Sequence, residues 1–212
     1  LKSIFNSYKC KTMKTTVMML CLALVSWGAS AQHDHSSMGN SNSSHSNMAT
    51  KMKEEPRVIP SIKVKQSLSV TSILDNYLAL KDALVDDNGK KAANSGKMLF
   101  DALGKFDPSS QPAPKQKELK DILDDAKENA EHISENGDKI DHQREHFELL
   151  GGDLKDLIVI VGADRNLYQL FCPMYNNNKG GKWLSTSDKI KNPFYGDEKM
   201  KCGRVLVEIT IK

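Results

Sequence analysis

Four sulfur-bearing side chains near the C-terminus form two short pairs that could bind a soft metal ion. Cys172 and Met174 stand two positions apart, and so do Met200 and Cys202. Thiolate and thioether sulfur prefer Cu(I), and by the same softness Ag(I), to hard cations. If the fold brings the two pairs together, the sequence predicts a copper site at these four residues.

The same two cysteines support a second interpretation, a structural disulfide. A bridge between Cys172 and Cys202 would close a loop of about 30 residues and stabilise the fold by roughly 3 to 4 kcal/mol through chain entropy. Disulfides persist in oxidising compartments outside the cytoplasm. The two readings exclude each other only in part, because Met174 and Met200 could still bind Cu(I) beside a closed bridge.

Three histidines in the central part of the chain form another candidate metal site. His142 and His146 are one helical turn apart, a spacing that lets two imidazoles chelate one ion. His132 comes near the end of the preceding predicted helix, so an antiparallel pairing would bring it level with the other two. The alternative is that these are surface or hydrogen-bonded histidines without a ligand.

Residues 32–53 combine histidine and methionine in a segment rich in serine and asparagine, with no apolar period that could be buried. We expect a disordered tail. Imidazole captures Cu(II) strongly and thioether suits Cu(I), so such a tail could collect copper in either oxidation state, although histidine also binds zinc. A polar linker is the alternative. The candidate ligands are His33, His35, Met38, His45 and Met48.

The N-terminal segment has the pattern of a cleavable secretory signal. Lys14 follows Met13, residues 17–27 are an apolar run, and residues 29–31 read Ala-Ser-Ala, a small-x-small cleavage site, so cleavage is expected after Ala31. Residues 1–12 are a polar extension upstream. We therefore expect a periplasmic or otherwise secreted protein.

Loss of residues 1–31 removes four lysines and no acidic residue, which takes the formal net charge from +3 to −1. A basic surface for nucleic acid is then not expected. Cys10 and Cys21 leave with the same segment. No later stretch is long and apolar enough for a transmembrane helix, so no membrane span is predicted.

Four stretches place apolar residues at helical steps and must position the candidate ligands. They cover residues 70–84, 92–106, 119–133 and 140–161. Short connections between amphipathic helices of similar length favour an antiparallel four-helix bundle. Beyond Gly162, β-prone residues broken by turns predict a small C-terminal β/loop cap. The expected fold is therefore mainly α, with residues 32–66 as tail and linker and residues 67–212 as one domain.

The sequence offers no catalytic motif. It has no nucleotide-binding glycine loop, no Gly-x-Ser-x-Gly elbow and no His-Glu-x-x-His run. The carboxylates between residues 121 and 131 alternate with lysine, as on an ordinary solvated helix face. We expect a binding protein and not an enzyme.

Five short motifs carry a resemblance to a known family. They are QREHF at residues 143–147, YQLFCPM at 168–174, WLS at 183–185, NPFYG at 192–196 and MKCG at 200–203. Together they resemble a bacterial exported domain-of-unknown-function family whose members occur alone or at the C-terminus of copper and silver efflux adaptors of the membrane-fusion type.

This resemblance implies a helical domain associated with heavy-metal resistance and a metal efflux component as a partner. It also implies that Cys172, Met174, Met200 and Cys202 are the motif positions, with His146 in the helix motif. The sequence thus predicts an extracytoplasmic copper-binding protein for sequestration, delivery or resistance, with silver or zinc as further ions. The alternative is a non-catalytic envelope interaction module with a Cys172–Cys202 disulfide.

Overall fold

A computed structural model describes residues 58–212. The expected signal segment and the tail ligands His33, His35, Met38, His45 and Met48 lie outside the described residues. The described elements are β1 (Ser61–Val64), α1 (Thr71–Val85), α2 (Gly89–Gly104), α3 (Ala113–Glu135), α4 (Ile140–Val161), β2 (Leu167–Cys172), α5 (Tyr175–Asn178), β3 (Gly181–Ser185) and β4 (Arg204–Ile211), with 3₁₀ turns at Pro108–Ser110 and Gly196–Lys199.

The four long helices follow the apolar stripes of the sequence, which confirms the mainly helical prediction. Two of them begin earlier than the stripes do. The side chain of Asn88 accepts a hydrogen bond from the Lys91 backbone N–H and caps α2, which therefore begins at Gly89. Pro114 lies in the first turn of α3, where its missing N–H is not needed.

Consecutive helices pack on one another: α1 on α2, α2 on α3 and α3 on α4. The opposite face of α4 packs against β3 of the sheet. Gly151 makes this close approach possible, because a Cβ there would lie 2.9 Å from the Lys182 carbonyl oxygen. Nearby, the buried Tyr77 hydroxyl accepts the Leu184 N–H at 3.0 Å, so helices and sheet share one core. Among residues 58–212, no helix is long and apolar enough to cross a membrane.

A small sheet of four strands covers the helices, in the order β1-β4-β2-β3. Strand β2 is antiparallel to both β3 and β4, whereas β1 is parallel to β4, so the arrangement is mixed.

Assigning all of residues 32–66 to a disordered linker was wrong at its C-terminal end. Residues 61–64 form β1 and pair with β4, and backbone hydrogen bonds join Glu208 N–H to Pro60 O and Lys212 N–H to Val64 O, each at 2.9 Å. A four-residue strand is too short to show a period of its own. Its place depends on a partner almost 150 positions away, which local pattern cannot reveal.

Candidate metal centre

The turn between α3 and α4 brings three histidines together. The side chains of His132, near the end of α3, and of His142 and His146, in the first half of α4, meet because α4 runs back along α3. One potential ligand atom from each residue lies within 4.8 Å of those of the other two. All three side chains are partly buried. The candidate residues predicted from helical spacing therefore converge in space.

The ring arrangement is compact. The His132 and His146 rings are stacked with centroids 4.4 Å apart, and the His142 ring meets His146 edge-on at 4.6 Å. Nitrogen ligands on one tetrahedral zinc ion lie about 3.4 Å apart, as follows from Zn–N bonds of about 2.0 to 2.1 Å. Small side-chain rotations would thus bring the three nitrogens to bonding distance, and the donor set fits a borderline transition metal ion.

Hydrogen bonds orient two of the three rings. Nδ1 of His146 lies 2.9 Å from Oδ1 of Asn129, and Nδ1 of His142 lies 3.2 Å from Oε2 of Glu145. Metal-binding histidines commonly hold the second ring nitrogen in such a bond to an oxygen, which leaves the other nitrogen for the metal. The first of these bonds involves a buried amide, whereas Glu145 is exposed.

The charge state of the site suits metal binding. Burial lowers the pKa of His146, and the neighbouring His132 and His142 lower it further, so the neutral ligand form is favoured. Beside it, burial and then the charge of Asp125 raise the pKa of Asp153 to about 6. Asp125, Glu128 and Asp153 line a depression of about 350 Å³ next to His146. Such carboxylates make the surroundings attractive to cations.

The two cysteines also meet, at the sheet end of the domain. Cys172 ends β2 and is buried, Cys202 precedes β4 and is partly buried, and their Sγ atoms lie 2.8 Å apart as free thiols. Burial raises the pKa of Cys202, and the hydrogen bond with Cys172 adds to this, so the thiol form is favoured. The Met174 side chain is 45% exposed. Met200 is partly buried and follows the Gly196–Lys199 turn.

The cysteine pair differs from the histidine triad in the number of its partners. Within residues 58–212, no third histidine, cysteine or carboxylate joins Cys172 and Cys202 in a cluster of ligands, whereas His132, His142 and His146 form one. The pair offers two thiols or a disulfide, whereas the triad offers three histidine, cysteine or carboxylate ligands.

Residues 73–166 match the family model described as Protein of unknown function (DUF3347). The match supports assignment of this helical region to a domain family of unknown function. It includes His132, His142 and His146 and ends before Cys172. No curated protein and no solved structure matches the chain.

Sequence reasoning missed the residues that support the triad, Asn129 and Asp153. Asn129 is a buried polar residue in the middle of α3, and its amide nitrogen also donates to the Asp125 carbonyl at 3.0 Å and to Asp153 Oδ2 at 3.3 Å. The available signal was its spacing: Asn129 stands on the apolar stripe of α3, three residues before His132. A polar side chain on a buried stripe indicates a specific partner.

Proposed function

We propose that this protein is an extracytoplasmic metal-binding protein that binds a transition metal ion at His132, His142 and His146. Copper is the proposed native ion, and zinc or silver are further candidates. The observation that carries the proposal is the convergence of three imidazoles from two helices, with ligand atoms within 4.8 Å of one another. Neutral imidazole is a good ligand for copper and zinc.

Several lines support copper in particular. A nitrogen site of a given geometry generally binds Cu(II) more tightly than the other divalent first-row ions. Further ligands lie outside the triad. Histidines of the tail suit Cu(II), and the tail methionines suit Cu(I), as do the sulfur residues Cys172, Met174, Met200 and Cys202.

We propose sequestration, delivery or resistance as the role, with export through the N-terminal signal and a metal efflux component as a partner. The motif resemblance supports the metal efflux component as a partner.

The proposed site depends on how the helices are arranged. We propose that α1 to α4 form an antiparallel four-helix bundle, supported by the packing of each helix on the next. In such a bundle the α3–α4 pair is held from both sides. The imidazoles on it would then keep their relative positions before a metal ion arrives.

The experiment is a competition titration with Zn(II) and Cu(II) against a chelator of known affinity. Zn(II) is the primary probe because it has no redox chemistry and cannot oxidise the thiols. The background variant carries His33→Ala, His35→Ala and His45→Ala, so that only the triad histidines remain. We expect binding of one ion with a Kd tighter than about 1 μM, equivalent to about 8 kcal/mol.

Adding His146→Ala or His132→Ala to that background should weaken binding by at least about tenfold, because each removes one of three ligands. The matched control is Asn136→Ala: the Asn136 side chain donates to the His132 backbone carbonyl and accepts from Lys139 Nζ, but it bonds no imidazole of the triad. A background variant that binds neither ion at micromolar concentration would refute the proposal.

A second candidate function is a non-catalytic interaction module of the cell envelope, stabilised by a Cys172–Cys202 disulfide. The 2.8 Å separation of the two sulfur atoms supports it. A free-thiol count on protein prepared without reductant separates the alternatives. No reactive thiol, together with a lower melting temperature after reduction, would support the bridge, whereas two reactive thiols would count against it and keep the sulfur pair available for Cu(I).

A further inference from the structure

We infer that Asn129 is the positioning residue of the histidine triad: it holds His146 in the tautomer that carries its proton on Nδ1, so that Nε2 is the metal-binding nitrogen. The role of Asn129 in metal binding rests on the proposed function, whereas the tautomer of His146 rests on the hydrogen bonds alone. Asn129 makes no contact with the ion itself.

The acceptors around Asn129 fix the orientation of its side-chain amide. Both acceptors near its nitrogen, the Asp125 backbone carbonyl and the Asp153 carboxylate, lie within 3.3 Å. A carbonyl and an ionised carboxylate can only accept hydrogen bonds, so the NH₂ group must point toward them. The amide oxygen is then the atom that faces His146.

The amide oxygen of Asn129 in turn fixes the position of the proton on His146. An amide oxygen accepts and cannot donate, and it lies 2.9 Å from Nδ1 of His146. Nδ1 must therefore carry the hydrogen. A neutral imidazole has one N–H, so Nε2 is left with a free lone pair. The proton is fixed before any metal ion arrives.

Burial strengthens the hydrogen bond between Asn129 and His146. Asn129 is only 9% exposed, so water competes poorly for its amide. On His142 the Glu145 carboxylate makes an equivalent bond, but at 3.2 Å and with side-chain exposures of 39% for His142 and 70% for Glu145, so water competes for it. Of these two oriented rings, His146 is therefore the one that the protein interior fixes.

The test begins with the apo protein and needs no variant. The ¹⁵N chemical shifts of the His146 ring, measured at a pH where the ring is neutral, report which nitrogen carries the proton. We expect the Nδ1–H form. A ring found in the Nε2–H form would overturn the inference, whether or not the protein binds metal.

Two variants then test the consequence for binding. Asn129→Leu keeps the size of the side chain and removes the oxygen, so His146 should populate both tautomers and the Kd for Zn(II) should rise by about 10- to 100-fold. Asn136→Leu is the matched control: it also removes an asparagine hydrogen bond near the end of α3, but one to the His132 backbone, and it should change neither quantity.

The outcomes separate the two proposals. An unchanged His146 tautomer in Asn129→Leu, or an equal loss of Zn(II) affinity in both variants, would overturn the role of Asn129. If the wild-type protein shows the Nδ1–H form but binds no Zn(II), the proposed function fails while the assignment of the tautomer stands.

Discussion

Asp153 is a carboxylate whose protonation is linked to the stability of the fold. Burial and then the charge of Asp125 raise its pKa from 3.8 to about 6, although the hydrogen bond from Asn129 acts in the opposite direction. The folded protein therefore binds this proton more tightly than the unfolded chain does. The contribution of this proton to the free energy of unfolding is complete below about pH 3.8 and is lost as the pH rises through about 6.

Replacing Asp153 by asparagine should remove this pH dependence. The amide keeps an oxygen that can accept from Asn129 and carries no charge to desolvate. We expect Asp153→Asn to have a higher free energy of unfolding than the wild type at pH 8 and a similar one at pH 4. Urea unfolding of both proteins at several pH values measures the difference, and a difference that is independent of pH would contradict the assignment.

At the scale of the secondary-structure element, α4 packs against both α3 and strand β3 of the sheet, and it contains two adjacent glycines, Gly151 and Gly152. Glycine has a low helix propensity, but α4 continues without interruption through this pair, from Ile140 to Val161. A Cβ at Gly151 would lie 2.9 Å from the Lys182 carbonyl oxygen and 3.3 Å from the Tyr77 hydroxyl, whereas one at Gly152 would have nothing within 4 Å. The first glycine thus serves packing against β3, and the second does not.

This difference gives a matched pair of substitutions. Gly152→Ala should stabilise the protein by about 0.5 to 1 kcal/mol, the helix-propensity difference between the two residues. Gly151→Ala gains the same propensity but forces α4 away from β3, an overpacking that costs typically about 1 to 3 kcal/mol, so we expect a net loss. Chemical denaturation measures both, and equal effects of the two substitutions would show that the helix and the sheet are not in close contact here.

The elements also show what local pattern can and cannot predict. The long helices were predictable because each repeats its apolar residues over several turns, and the meeting of His132 with His142 and His146 followed from a short turn between two of them. Strand β1 was not predictable, because it depends on β4, far along the chain, and has no local period. The place of Asn129 on the apolar stripe of α3 indicates a specific partner, but local pattern does not show that the partner is His146.

For the whole molecule, the question is whether the triad and the N-terminal tail bind metal in the same way. A ligand raises the melting temperature only to the extent that it prefers the folded protein. At a concentration of 100 times its Kd it raises the free energy of unfolding by about 2.7 kcal/mol when the unfolded chain does not bind it. The triad assembles from α3 and α4 and exists only after folding. Tail histidines without a fold, as their composition predicts, would bind equally well in both states.

We therefore expect Zn(II) to raise the melting temperature through the triad alone. The full chain and the variant with His33→Ala, His35→Ala and His45→Ala should show the same increase, although the full chain binds more zinc at equilibrium. The variant with His132→Ala and His146→Ala should bind zinc without the increase. Scanning calorimetry with and without Zn(II) distinguishes these cases. An increase that depended on the tail histidines would mean that the tail joins the folded site, and the division of the protein into a collecting tail and a separate helical site would be wrong.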